Sequence, residues 1–134
     1  MPGLIEAHCH AGTGSVWRNT YCGFFDRRDP EGRLWTGCKN IEEVVERLRE
    51  VDARMTADGR DENDTLLAWG VDPLYFDGER MYAHHLDEVS SVRPVYVQHA
   101  SFHLATVNSV LLERESITSD IQTPGVDLGP DGEP

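Results

Sequence analysis

Ile41, Val44, Val45, Leu48, Val51 and Met55 recur at spacings of three and four residues, the signature of a single helix face. Asn40 stands where a helix N-cap belongs, and Glu43, three residues on, can reach back as in a capping box. Asp58-Gly59 supplies the stop. A different pattern follows: Thr65-Leu66-Leu67-Ala68-Trp69-Gly70-Val71 is apolar without alternation, as in a parallel strand covered on both faces, and Asp72-Pro73 ends it. Pro94-Val95-Tyr96-Val97-Gln98 repeats that character, and Leu4-Ile5-Glu6-Ala7-His8 is a shorter version. Residues 81–89 suit a short helix. Residues 104–112 are expected to be helical, with Leu104, Val107, Leu111 and Leu112 as the apolar face. Strand and helix therefore alternate, which predicts an α/β fold with parallel strands and flanking helices.

Residues 16–38 fit neither pattern. Trp17, Tyr21, Phe24, Phe25 and Trp35 stand there among Asp, Arg, Gly and Pro, so the segment reads as a long packed loop; a linker would not carry so many large rings. From residue 117 the chain turns polar, with turn signals at Thr123-Pro124-Gly125 and Gly129-Pro130-Asp131-Gly132. No internal repeat stands out.

Composition narrows the partners. The chain has 134 residues, 39% hydrophobic and 27% charged, with a formal net charge of -12. That charge argues against nucleic acid or an anionic membrane surface as partner. No apolar run reaches membrane-spanning length, and the start lacks the basic and apolar parts of a signal peptide. Cys9, Cys22 and Cys38 make an odd count without a paired framework, which favours a reducing cytoplasm.

One short run carries chemistry. His8 and His10 stand at the end of the first expected strand, where alternation turns both imidazoles to one side and Cys9 to the other. Neutral imidazole suits zinc and other borderline divalent metals, although two histidines so spaced are also compatible with ordinary packing or exposure. A structural Cys₂His₂ site, with Cys22 or Cys38 joining the two histidines, is an alternative. It has no C-x-x-C pair to support it, and free cysteines packed as small hydrophobes are the simpler account.

The run Pro2-Gly3-Leu4-Ile5-Glu6-Ala7-His8-Cys9-His10 resembles the first barrel strand of the metal-dependent amidohydrolase superfamily. Trp69-Gly70-Val71-Asp72, then Arg93-Pro94-Val95-Tyr96-Val97 with His103, then Val107-Asn108-Ser109 with Leu111, resemble segments of its family 3 branch in the same order. The end, Pro124-Gly125 through Asp131-Gly132-Glu133-Pro134, resembles the turn that follows them. Two positions depart from the branch: Phe102 precedes His103 where glycine is usual, and Ser116 precedes Ile117 where glycine is usual.

The resemblance implies part of a TIM-type (β/α) barrel, residues 1–134 forming the N-terminal portion of the domain and incomplete at both ends. A complete barrel needs about 250 residues. It implies a metal-dependent hydrolase of carbon–nitrogen bonds, amide or cyclic amide, in which a divalent metal, zinc by expectation, activates water and polarises a carbonyl. His8 and His10 would hold the metal. Asp72, His99 and His103 are candidates for the pocket of a small-molecule substrate, with Trp17 and Arg18 as further candidates, whereas Trp69 and Tyr96 read as core. No catalytic residue is assigned within the chain. Lys39, the one lysine, sits beside the helix cap and not at a strand end, so it is not given the family's metal-bridging role. The fragment alone is expected to be inactive. The other reading is a non-catalytic metal-binding or oligomer-forming α/β module, whose open faces a second copy or the remainder of the barrel would cover.

Overall fold

The computed structural model describes residues 13–121, 123–126, 128, 129 and 132. His8, Cys9, His10 and the strand expected at residues 4–8 lie outside the described residues, as do parts of the final turn. A 3₁₀ turn, Thr13–Arg18, opens the described chain and leads into β1, Thr20–Tyr21. A small antiparallel hairpin follows, β2 (Arg27–Arg28) with β3 (Leu34–Trp35). The expected loop over residues 16–38 thus contains a sheet strand and a hairpin.

The helix α1 spans Ile41–Ala57 and buries Ile41, Val44, Val45 and Leu48. Asn40 caps it, accepting from the Glu43 N–H at 2.8 Å. The Glu43 carboxylate reaches back to the N–H of Lys39 at 2.8 Å, one residue beyond the cap. At the other end Gly59 adopts φ +71°. Its N–H then bonds to the Thr56 carbonyl and the Arg60 N–H to that of Met55, both at 3.0 Å, so the last turn's carbonyls are satisfied.

The strands β4 (Leu66–Val71) and β5 (Val95–His99) form the centre of the sheet, with a short helix α2 (Ala83–Asp87) between them in sequence. The strand order is β1-β4-β5-β6, where β6 is Ala105–Val107. The first three strands run parallel, and β6 runs antiparallel to β5. The chain then enters the helix α3, Ser109–Arg114.

The helix expected over residues 104–112 is corrected here. The His99 N–H bonds the Leu104 carbonyl at 2.9 Å, so the chain doubles back and residues 105–107 pair with β5. The helix starts only after Asn108, whose side-chain oxygen caps it through the Leu111 N–H at 3.2 Å. Leu104 and Val107 mimic a helical face, but Leu104 is 54% exposed. The sheet is consequently mixed and not wholly parallel.

One face of the sheet is covered. Leu66, Ala68, Val71, Val95 and Val97 pack with the buried face of α1 and with Phe76, Met81, Leu86 and Val89 in a single apolar cluster. The other face, carrying Leu67, Tyr96 and Gln98, is more open, and Leu67 in the central strand is 45% exposed. No helix among the described residues is long and apolar enough to cross a membrane.

Candidate functional site

A cavity of about 420 Å³ opens at the carboxyl ends of β4 and β5, where open parallel sheets and barrels both place ligands. Gly70 and Asp72 come to it from the end of β4, and Ala100 and Phe102 from just past β5. The aromatic segment supplies the facing wall with Trp17, Tyr21, Phe24 and Phe25, and Tyr75 closes a side. Its charged groups are Arg27 and Asp72.

The walls hold one another through ring packing. Trp17 meets Trp69 edge to face, 5.0 Å between centroids and 88° between planes, and Tyr21 lies 5.0 Å from the same indole. Phe25 meets Tyr75 edge to face at 4.8 Å. The Tyr21 hydroxyl donates to the Phe25 carbonyl at 2.8 Å, and burial pushes the phenol above its ordinary value. Gly70 is what lets these rings approach. It sits at a bulge in the β4–β5 register with φ +105°, and a Cβ there would stand 2.9 Å from the Tyr21 ring and 3.0 Å from the Gly23 nitrogen. Trp69, read from the sequence as core, is both: 8% exposed, and a wall of the cavity.

The sequence-predicted residues separate. Asp72 lines the cavity, half-buried, and accepts from the Leu74 N–H at 3.1 Å. Trp17 lines it as well, whereas Arg18 is exposed and outside it. His103 is exposed in the turn between β5 and β6. His99 is buried at the end of β5, with Nε2 2.9 Å from the Thr106 hydroxyl oxygen. That hydroxyl also lies 3.3 Å from the Met81 carbonyl, an arrangement that suits Nε2–H donating to the hydroxyl and the hydroxyl donating onward to the carbonyl. Among the described residues, Nδ1 of His99 and the indole N–H of Trp69 are the buried side-chain polar atoms without a partner. Burial lowers the His99 pKa, with the Asp72 carboxylate opposing, so the ring is held neutral.

No group of three or more His, Cys, Asp or Glu that could hold a metal occurs among the described residues. Cys22 and Cys38 are free and fully buried in the apolar cluster. The Cys22 thiol is held well above its ordinary range by its hydrogen bond with Cys38 and by burial. The pair thus packs as small core residues, which weighs against a Cys₂His₂ centre. Sequence reasoning missed Phe24, Phe25, Tyr75 and Phe102 as cavity walls; the density of rings in residues 16–38 was the available signal for the first two.

These features define an α/β unit with parallel central strands, flanking helices and a cavity at the strand ends. The amidohydrolase family model matches residues 1–132, and the chain belongs to that family, in its family 3 branch. Among solved structures, the chain is similar to an uncharacterized metal-dependent hydrolase from Pyrococcus horikoshii OT3, with a TM-score of 0.50 and 20% identity over 87% of this chain. The chain spans 18% of the length of that protein. No curated protein matches it.

Proposed function

We propose that the chain is the N-terminal part of a metal-dependent hydrolase of amide or cyclic-amide bonds, built on a (β/α) barrel. The observation that carries this reading is the family match over residues 1–132, which includes the His8–Cys9–His10 run. His8 and His10 are the proposed ligands of a divalent metal, zinc by preference, which would lower the pKa of a bound water and polarise the scissile carbonyl. The cavity at the ends of β4 and β5 is the proposed seat of a small-molecule substrate, with Asp72 in its wall. The unpartnered, buried Nδ1 of His99 supports a polar role at the same end of the sheet, and exposed His103 a place at its rim. The resemblance implies that the further metal ligands and the general base come from later strands of the barrel, so this chain alone is proposed to lack turnover. The free Cys22 and Cys38 support a reducing cytoplasmic setting.

A non-catalytic, oligomer-forming module is the second reading. Leu67, 45% exposed in a central strand, supports it, because an apolar position there would be covered by a second copy packed on that face.

Elemental analysis of the purified chain separates the two, with N-acyl substrates assayed alongside. Stoichiometric metal in wild type, lost in His8→Ala/His10→Ala, is the expected result. Metal retained by the double variant, or absent from both proteins, would overturn the metal assignment.

A further inference from the structure

We propose that the cavity is selective for an aromatic ring on the substrate, and that Phe102 is the residue that sets this selectivity. The inference rests on the reading of the cavity as a substrate site and names the chemical class it takes.

The volume, about 420 Å³, is within the range of small-molecule sites and far above that of a packing defect. Its walls are mostly rings, and several are incompletely covered: Phe25 is 47% exposed, Tyr75 43% and Phe102 37%. Large apolar side chains left open around a concavity mark a surface that gains by being covered. A planar ring suits such walls best, since ring faces and edges on both sides can meet it in the offset or edge-to-face arrangements that aromatic pairs prefer. The edge-to-face pairs already present, Trp17 on Trp69 and Phe25 on Tyr75, show the walls presenting both.

Phe102 is the informative wall. It adopts φ +61°, a left-handed conformation that costs a bulky residue energy glycine would not spend. Its ring lies 6.3 Å from that of Trp69 at 33° and lines the cavity. The turn does not use the Phe102 side chain: its hydrogen bonds run from the Phe102 N–H to the His99 carbonyl at 3.0 Å, the His99 N–H to the Leu104 carbonyl at 2.9 Å, the His103 N–H to the Ser101 hydroxyl oxygen at 3.3 Å and the Gln98 amide nitrogen to the Leu104 carbonyl at 2.7 Å. Strain retained where the backbone would prefer glycine points to a role for the ring.

The test uses the full chain and two neutral probes that differ by one ring, N-benzoylglycinamide and N-acetylglycinamide, with binding followed by calorimetry and tryptophan fluorescence. Wild type is expected to bind the benzoyl compound at least about tenfold tighter, the effect of burying one ring. Phe102→Gly and Phe102→Ala should both reduce that preference about threefold or more, although glycine relieves the backbone and alanine does not. A preference that follows the ring and ignores which small residue replaces it separates a wall from a turn former. Equal affinities for the two probes in wild type would overturn the proposal, as would an unchanged preference in the Phe102→Ala variant. Binding needs neither metal nor turnover. A chain that discriminates the probes but holds no metal would keep this inference and sink the hydrolase reading, and the reverse result would do the opposite.

Discussion

The segment from Ser90 to Ser116 ties down the amino ends of β4 and β5, and the segment from Trp17 to Trp35 walls the cavity at their carboxyl ends, by opposite means. The first is wired by polar groups. Arg93, 1% exposed, binds Asp52 through Nε at 2.6 Å and the carbonyls of Asp61 and Asp64 through one terminal nitrogen. Asn108 is fully buried and uses both ends of its amide: the Val95 and Leu111 N–H groups donate to its oxygen, and its nitrogen donates to the Ser90 and Arg93 carbonyls. Ser109 adds two 2.7 Å bonds to the Asp87 carboxylate, fixing α2 to the start of α3. The side-chain hydrogen bonds of the second segment are exposed or half-buried, and its cavity wall stands on ring packing. Polar motif residues here hold the frame, and the cavity is made by aromatic ones. A conspicuous Arg or Asn in a motif is thus no guide, by itself, to where a ligand sits.

Breaking the wiring should cost most. Arg93→Met keeps the bulk but strands the Asp61 and Asp64 carbonyls and the partly buried Asp52, and the expected loss is roughly 3–5 kcal/mol in urea unfolding. A loss under about 1 kcal/mol would show that the polar frame is not what holds this half of the molecule.

The next effect has the opposite sign. Ser116 adopts φ +56° just past α3, where its N–H bonds the Glu113 carbonyl and the following Ile117 N–H bonds that of Leu112. This is the arrangement that ends α1 at Gly59, built here on a residue with a Cβ. Ser116→Gly should stabilise by up to about 1 kcal/mol in thermal or urea melts, the left-handed penalty less the added freedom of the unfolded chain. Destabilisation would mean that the serine side chain holds something worth more than the strain.

These positions also show what was legible in sequence. The long helix could be read because periodicity, cap and stop agreed at Ile41–Ala57, and the central strands because a buried parallel strand has no polar face to disguise it. The antiparallel return of residues 105–107 was hidden, since Leu104, Val107 and Leu111 imitate a helix face and the turn that reverses the chain has Phe102 where glycine would have announced it. The two departures from the family's glycines, Phe102 and Ser116, both fall on left-handed backbone, so the sequence marked the places without showing why. The cavity was harder: its walls come from three separated stretches that only the β1–β4–β5 pairing brings together. Asp72 and Trp17 were found, but no spacing rule joins Phe24, Tyr75 and Phe102.

The smallest effect belongs to His99, at the end of β5, because burial and the Asp72 carboxylate pull its proton affinity in opposite directions. Burial prevails, so the folded chain binds this proton less readily than the unfolded chain, whose histidine titrates near 6.5. As pH falls through that value the unfolded state takes up the proton first, and stability is lost until the lowered native value is also passed. Well above 6.5, where neither state binds the proton, His99 contributes no slope. His99→Gln preserves an N–H that can reach the Thr106 hydroxyl oxygen and removes the titration. Urea midpoints for wild type and variant should run parallel above neutrality and separate between pH 7 and 5, with wild type falling faster. Parallel curves over the whole range would place Nδ1 of His99 in contact with water and remove the reason for giving that histidine a part in the site.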